Sequence, residues 1–207
     1  MGITTSVVFA AILEHLELTA IALALAAIVG IPLGVHVARA RFLAGPVLAI
    51  VSAIQTIPSV ALLGFLIPLF GIGMKPAIVA LFLYSLLPIV RNTYTGITQV
   101  DAAAVEAARG MGMRDRQILL RVTIPQALPV LMAGIRTATV LCVGVATLAA
   151  LIGAGGLGTF IFRGISMLNT PMVLAGAIPA GVLALALDGL LALALRWLTP
   201  PGLRSAR

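Results

Sequence analysis

Residues 101–125 read DAAAVEAARGMGMRDRQILLRVTIP, a charged stretch between two almost purely apolar ones. Asp101 is a good helix N-cap, and the alanine-rich run that follows it has strong helix propensity. Gly110 and Gly112 are expected to end that helix, because glycine readily adopts the left-handed conformation at a helix C-terminus. A second short helix is expected over MRDRQILLRV, and Pro125 marks the entry into the next apolar segment. The stretch therefore predicts two short helices joined by a glycine bend.

The composition assigns the chain to the polytopic membrane proteins. Hydrophobic residues make up 61% of it and charged residues only 9%, whereas soluble domains carry about 25% charged residues. A soluble fold could not bury this much apolar surface, so the lipid bilayer is the expected surroundings. The net charge of +7 indicates arginines that hold loops in the cytoplasm rather than a nucleic-acid partner.

Five stretches are apolar and long enough to cross the hydrocarbon core, which takes about 20 residues of helix. They are 18–38, 46–70, 76–98, 127–151 and 172–197. Prolines near the span starts suit the first helical turn, and these are Pro46, Pro76, Pro129 and Pro171. Prolines inside the spans predict kinks, and these are Pro32, Pro58, Pro68, Pro88 and Pro179. No long linker is present, so we predict one all-α domain over 1–207.

Basic residues predict the orientation of the spans. The loops after spans one and three and the C-terminal tail share an excess of arginine: Arg39, Arg41, Arg109, Arg114, Arg116, Arg121, Arg204 and Arg207. The opposite side has only Lys75 and Arg163. By the positive-inside rule, the N-terminus lies outside and the C-terminus in the cytoplasm. The 101–125 stretch is then cytoplasmic.

Span one carries small residues four apart, at Ala22, Ala26, Gly30 and Gly34. Such a stripe allows two helices to approach closely. Either a subunit interface or packing within the chain would account for it.

The spacing inside 101–125 is specific. Glu106-Ala107-Ala108 is followed after three residues by Gly112, and after nine more by the sequence VTIP, which ends at Pro125. This pattern resembles the EAA motif of bacterial ABC-importer permeases, E-A-A, three residues, G, nine residues, I-x-L-P. An amphipathic helix anchored by arginine to anionic lipid would explain the second helix but not the flat alanine face of the first.

The resemblance implies a type I ABC importer permease fold, similar to that of methionine importers, in the bacterial cytoplasmic membrane. In that family the loop docks on a separate cytoplasmic ATPase dimer and couples nucleotide-driven closure to the spans. The implied docking residues are Glu106, Ala107, Ala108 and Gly112, with Arg114, Asp115 and Arg116 as neighbouring polar contacts.

ATP hydrolysis has to be carried out by another protein. A P-loop requires a lysine after its glycines, and the sole lysine, Lys75, is followed by proline. The stretch 153–158 fits G-x-G-x-x-G but follows a span rather than a strand, so it predicts a tight turn and no dinucleotide site. The histidines His15 and His36 have no metal-like spacing and are expected at the membrane interface. We expect no cofactor or metal on this chain.

Longer blocks resemble the osmoprotectant branch of these permeases, which import glycine betaine, carnitine or choline. They include QTIPSVALLGFLIPLFGIG at 55–73 and ATLAALIGAGGLGTFIFRGI at 146–165. The resemblance implies an extracytoplasmic binding protein, expected as a separate chain because this one ends shortly after span five, and a second permease copy, identical or paralogous. Methionine, another amino acid or ergothioneine is the alternative substrate.

Polar residues inside the spans are candidates for the translocation path. They are Gln55, Thr56 and Ser59 around Pro58, and Tyr84, Ser85 and Asn92 in span three. Interhelical hydrogen bonds would explain them equally well. Arg136 and Asp188 fall at similar depth, about 15 Å from the cytoplasmic ends of consecutive spans. Intramembrane charges are rarely unpaired, so either an ion pair or a shared aqueous cavity is expected, unless Arg136 snorkels alone to the interface.

Two other classes fit the residues less well. An ion-coupled secondary transporter would favour acidic spans and internal repeats, and it would leave the 101–125 stretch without a purpose. An enzyme would need catalytic groups of a kind that the spans lack, such as G-x-S-x-G or paired carboxylates.

Overall fold

The computed structural model describes residues 5–198, and all regular structure in this range is helical. The α-helices are α1 Thr5–Arg39, α2 Ala44–Thr56, α3 Ser59–Phe70, α4 Met74–Thr98, α5 Ala102–Gly110, α6 Asp115–Ile118, α7 Ile124–Ala146, α8 Gly158–Ser166 and α9 Thr170–Leu198. Arg204 and Arg207, used above for the orientation, lie outside the described residues. The helical fold agrees with the prediction.

Four helical runs within the described residues are long and apolar enough to span a membrane, namely Thr5–Arg39, Met74–Thr98, Asp115–Ile152 and Thr170–Leu198. The predicted second span is instead a pair of helices, Arg41–Thr56 and Ser59–Phe70, bent by 96°. The chain therefore has five spans if this bent pair is counted as one. The first helix begins at Thr5, well before the predicted start at residue 18.

Pro58 is the point where the second span breaks. Ile57 and Pro58 have ψ angles of 126° and 132°, which place both residues outside the helical region. Proline disfavours helical backbone in the residue before it and cannot donate the next helical hydrogen bond. The other interior prolines, at 32, 68, 88 and 179, lie within helices that continue through them.

The charged stretch runs into the fourth span without a break. The helix of Asp115–Ile118 continues through a π-helical turn, Leu119–Thr123, into α7. Pro125, just after this turn, lacks the N–H of a regular helix, and π-helical segments occur mostly as such single turns inside α-helices. The predicted start at residue 127 was therefore late, and Pro129 lies inside α7 rather than in its first turn.

Helix α4 lies at the centre of the fold, between α1 and α7. The small residues of the α1 stripe are all buried. An added Cβ at Gly34 would lie 2.6 Å from the Thr93 Cβ, and one at Gly30 would lie 2.9 Å from the Ile89 side chain. The stripe thus lets α1 approach α4 within the chain, which favours the intramolecular alternative.

The turn over 153–157 is non-helical, as predicted, and Gly158 already begins α8. Gly153, Gly155 and Gly156 all have φ between 77° and 79°. The first helix holds this turn, because the Gly156 N–H donates to the Glu14 carboxylate at 2.8 Å. His15 Nε2 lies 3.1 Å from the Val143 carbonyl oxygen, and its side chain is fully buried, so the expected interfacial position of this histidine was wrong.

Candidate functional site

The 101–125 stretch forms two helices around a left-handed glycine. The Ala103 N–H donates to the Asp101 carboxylate at 3.0 Å, as expected of an N-cap. Gly112 has a φ of 80°, whereas Gly110 is the last residue of α5. Past the turn, the Arg114 N–H donates to the Gln117 side-chain oxygen at 2.8 Å. The hydrogen bonds at the starts of α5 and α6 therefore hold the loop in a defined shape.

Six of the seven candidate docking residues are exposed, and these are Glu106, Ala107, Gly112, Arg114, Asp115 and Arg116. Ala108 is the exception, since only 1% of it is accessible. Ala108 therefore anchors α5 to the rest of the chain, while its neighbours form an outward surface. Arg109 and Asp115 approach to 3.6 Å across the turn, and both side chains are about 70% exposed. Such an exposed pair contributes little to stability.

A cavity of about 570 Å³ lies behind α5. Arginines from two regions line it, Arg39 and Arg41 from the end of the first span and Arg109 from α5. Glu106 and Asp115 line it as well. Two of the exposed docking candidates, Glu106 and Asp115, therefore also face this cavity.

Four of the six candidate path residues line one cavity of about 360 Å³ at the Pro58 break, namely Gln55, Thr56, Ser59 and Tyr84. Two hydrogen bonds fasten the broken helix to α4. Gln55 Nε2 donates to the Tyr84 carbonyl oxygen at 2.9 Å, and the Tyr84 hydroxyl donates to the Ile57 carbonyl oxygen. These two hydrogen bonds therefore fix the position of the break against α4.

The other two candidates do not line this cavity. Ser85 is 1% exposed, and its hydroxyl donates to the Leu81 carbonyl within α4 at 2.8 Å. Asn92 donates to the Pro88 carbonyl at 2.8 Å. An added Cβ at Gly134 would lie 2.5 Å from the Asn92 Cβ, so Asn92 is in contact with α7. Both side chains serve packing in this structure.

Arg136 and Asp188 meet in a bidentate ion pair between α7 and α9. Nε lies 2.8 Å from Oδ1 and Nη2 lies 2.7 Å from Oδ2. The two side chains remain 35% and 28% exposed, and they line a cavity of about 410 Å³. Leu141 lines both this cavity and the one at the Pro58 break. The two cavities are therefore neighbours on one side of α7.

Arg91 is a polar residue that the sequence reasoning missed. It lies in α4, seven residues after Tyr84, and its exposed side chain donates to the Ser52 hydroxyl of α2 at 3.0 Å. Its position inside the predicted span 76–98 was the available signal, because an arginine inside a span is unusual.

Known proteins resemble this chain over most of its length. Residues 26–200 match the family described as binding-protein-dependent transport system inner membrane component. The choline transport system permease protein OpuBB of Bacillus subtilis is 48% identical over 92% of this chain and 88% of its own length. The osmoprotectant import permease protein OsmW of Salmonella typhimurium is 50% identical over 92% of this chain and 91% of its own length.

Among solved structures, an inward-facing form of the MetNI methionine ABC transporter superposes with a TM-score of 0.84 at 25% identity. The match covers 94% of this chain and 97% of that one. The fold is therefore that of a type I ABC importer permease, as predicted. Members of this family are transport subunits rather than enzymes, and the family implies an ATPase, a binding protein and a second permease as partners. The chain belongs to the binding-protein-dependent transport system inner membrane components, and it is a permease subunit of an ABC importer.

Proposed function

We propose that this permease forms the path for a quaternary ammonium osmoprotectant such as glycine betaine. The observation that carries the proposal is the 48–50% identity to permeases named for choline and for osmoprotectants, which extends over about nine-tenths of the chain. The methionine transporter has the same fold at half that identity. Fold likeness at that level does not define a substrate.

The 101–125 loop is proposed as the surface on which a separate cytoplasmic ATPase dimer docks. The exposed Glu106, Gly112 and Arg116 support this role, because they project from a loop of defined shape. The proposed orientation has the N-terminus outside and the loop and C-terminus inside. It rests on the arginine distribution, since the exposed basic residues of the loop would otherwise have to cross the membrane.

The path itself is proposed to run along the two neighbouring cavities beside α7. Both linings are largely apolar, but the polar groups among them, Gln55 and Tyr84 at one cavity and the Arg136–Asp188 pair at the other, support contact with water rather than with lipid alone. Aromatic residues make up only 5% of the chain, which is few for an aromatic cage around a quaternary ammonium. High-affinity recognition is therefore assigned to an extracytoplasmic binding protein, and the permease offers a low-affinity passage.

A second permease copy completes the path. Helix α9 supports this view, because apolar side chains such as Leu185 and Leu190 are 75% and 62% exposed along it. Lipid and a partner permease together would cover this surface. Alternating access would then follow closure of the ATPase dimer.

The test is ATP-dependent uptake into proteoliposomes that contain this chain, its ATPase and its binding protein. Labelled glycine betaine, methionine and ergothioneine are supplied in parallel. Betaine uptake that requires all three proteins is the expected result. Uptake of only methionine or ergothioneine under the same requirement would replace the substrate class and keep the mechanism. Betaine movement without the ATPase would contradict the ABC mechanism and favour an ion-coupled transporter.

A further inference from the structure

Arg91 carries a charge inside a membrane-spanning helix, and within residues 5–198 no carboxylate pairs with it. It lies seven residues before the end of α4 at Thr98, which is about 10 Å along the helix axis. Among the described residues, the ion pairs are Arg109 with Asp115 and Arg136 with Asp188. The guanidinium of Arg91 has only the neutral Ser52 hydroxyl, at 3.0 Å.

The contact with Ser52 holds the guanidinium back from the ends of α2 and α4. An arginine near a helix end can snorkel, extending its head to the membrane surface. Ser52 lies eight residues after the start of α2 at Ala44, or about 12 Å from that end. The hydrogen bond therefore holds the guanidinium well inside the span. An exposed charge at that depth requires a water-filled space or a charged partner.

The position of Arg91 places it on the way to the cavity at the Pro58 break. Tyr84 and Arg91 are seven residues apart, so they share one face of α4. On the facing helix α2, Gln55 bonds to Tyr84 and Ser52 bonds to Arg91. Polar contacts between α2 and α4 therefore run from the cavity, where Gln55 donates to the Tyr84 carbonyl oxygen, to the guanidinium of Arg91, about two helical turns away.

We propose that Arg91 is a specificity-determining residue that receives the carboxylate of a zwitterionic substrate during its passage. The proposal rests on the proposed function. A guanidinium binds a carboxylate through two parallel hydrogen bonds between opposite charges, and such a pair is stronger than the single bond to the uncharged Ser52 hydroxyl. A substrate carboxylate can therefore displace the serine. Betaine and carnitine carry a carboxylate, whereas choline has only its positive charge, which Arg91 repels.

The test compares glycine betaine and choline in the proteoliposomes described above. Initial uptake rates are measured at substrate concentrations that saturate the binding protein, so that its own preference does not enter the ratio. Arg91→Gln is expected to lower the betaine rate about ten-fold, the effect of losing a charged hydrogen bond. The choline rate should stay unchanged or rise. The matched control is Arg196→Gln, which removes an exposed arginine near the end of α9 and should leave the ratio unchanged.

Arg91→Lys keeps the charge but loses the fork of donors, so it should give a betaine-to-choline ratio between those of the wild type and Arg91→Gln. If Arg91→Gln transports neither substrate, the betaine-to-choline ratio of Arg91→Lys tests the proposal instead. Equal partial losses for both substrates in Arg91→Gln, or an unchanged ratio in Arg91→Lys, would overturn the role of Arg91. A wild-type protein that transports neither substrate would instead contradict the proposed function, so the two failures are distinguishable.

Discussion

Arg136 of α7 and Asp188 of α9 form two parallel hydrogen bonds of 2.8 and 2.7 Å between consecutive spans. The fork-to-fork geometry fixes the rotation of both helices about their axes, because both donor–acceptor pairs must align. The pair also lines a cavity, so it serves the packing of α9 and the path at the same time.

Breaking this pair from one side should destabilise the protein more than removing it entirely. Asp188→Asn and Arg136→Gln each leave the other charge without its partner inside the membrane. We expect each single variant to lower the thermal midpoint in proteoliposomes, and the double variant to lower it by less than the sum. Additive effects in this double-mutant cycle would contradict the coupling.

Gly112 should be essential for coupling but not for folding. Nothing lies within 4 Å of a Cβ added there, and aspartate tolerates a left-handed backbone better than most residues do. Gly112→Asp should therefore fold, while its charge changes the proposed docking surface. We expect uptake to fall about ten-fold or more, the effect of losing an interface hot spot, relative to ATP hydrolysis by the assembled complex.

The control for this variant is Gly45→Asp, which places the same charge outside the loop, in the first turn of α2, at another exposed glycine whose Cβ would meet no atom within 4 Å. In the assembled complex, this control should leave the ratio of substrate uptake to ATP hydrolysis unchanged. Normal uptake by Gly112→Asp would contradict the coupling role of the loop.

Gly34 should tolerate no side chain, because it is where α1 contacts α4. A Cβ there would lie 2.6 Å from the Thr93 side chain and 3.0 Å from the Val90 carbonyl oxygen. Overpacking of this kind costs about 1–3 kcal/mol, so Gly34→Ala should lower the free energy of unfolding by that amount. Gly64→Ala, in the interior of α3 with free space around it, should instead be neutral or stabilising by up to about 1 kcal/mol. Equal effects in thermal unfolding would argue against close packing at Gly34.

The Tyr84 hydroxyl should help to maintain the break at Pro58. Tyr84→Phe removes the donor to the Ile57 carbonyl and leaves the ring in place. We expect a loss of about 1 kcal/mol in stability and slower uptake, because the cavity loses both a polar group and a support. Tyr94→Phe makes the same chemical change elsewhere on α4 and does not touch this cavity. Uptake that falls equally in both variants would contradict a specific role for Tyr84.

The sequence alone predicted the membrane class and much of the charged loop. The third and fifth spans were placed within two residues of α4 and α9, because hydropathy and the helix length needed to cross a bilayer are local properties. Asp101 and Gly112 have the roles expected of them, since an N-cap and a left-handed glycine depend on a few neighbouring residues. The resemblance of 101–125 to the family motif was likewise visible in the spacing of its residues.

Only the tertiary structure decided how distant segments meet. Pro58 predicted a kink, but the angle of 96° and the two hydrogen bonds that fasten the break to α4 are features of the tertiary structure. The early part of α1 is held by contacts of Glu14 and His15 with residues 142 and 128 positions later. Tyr84 lines a cavity, whereas the adjacent Ser85 does not and is buried. This difference depends on which face of α4 meets its neighbours. Hydropathy describes each helix by itself, whereas these features arise from contacts between helices.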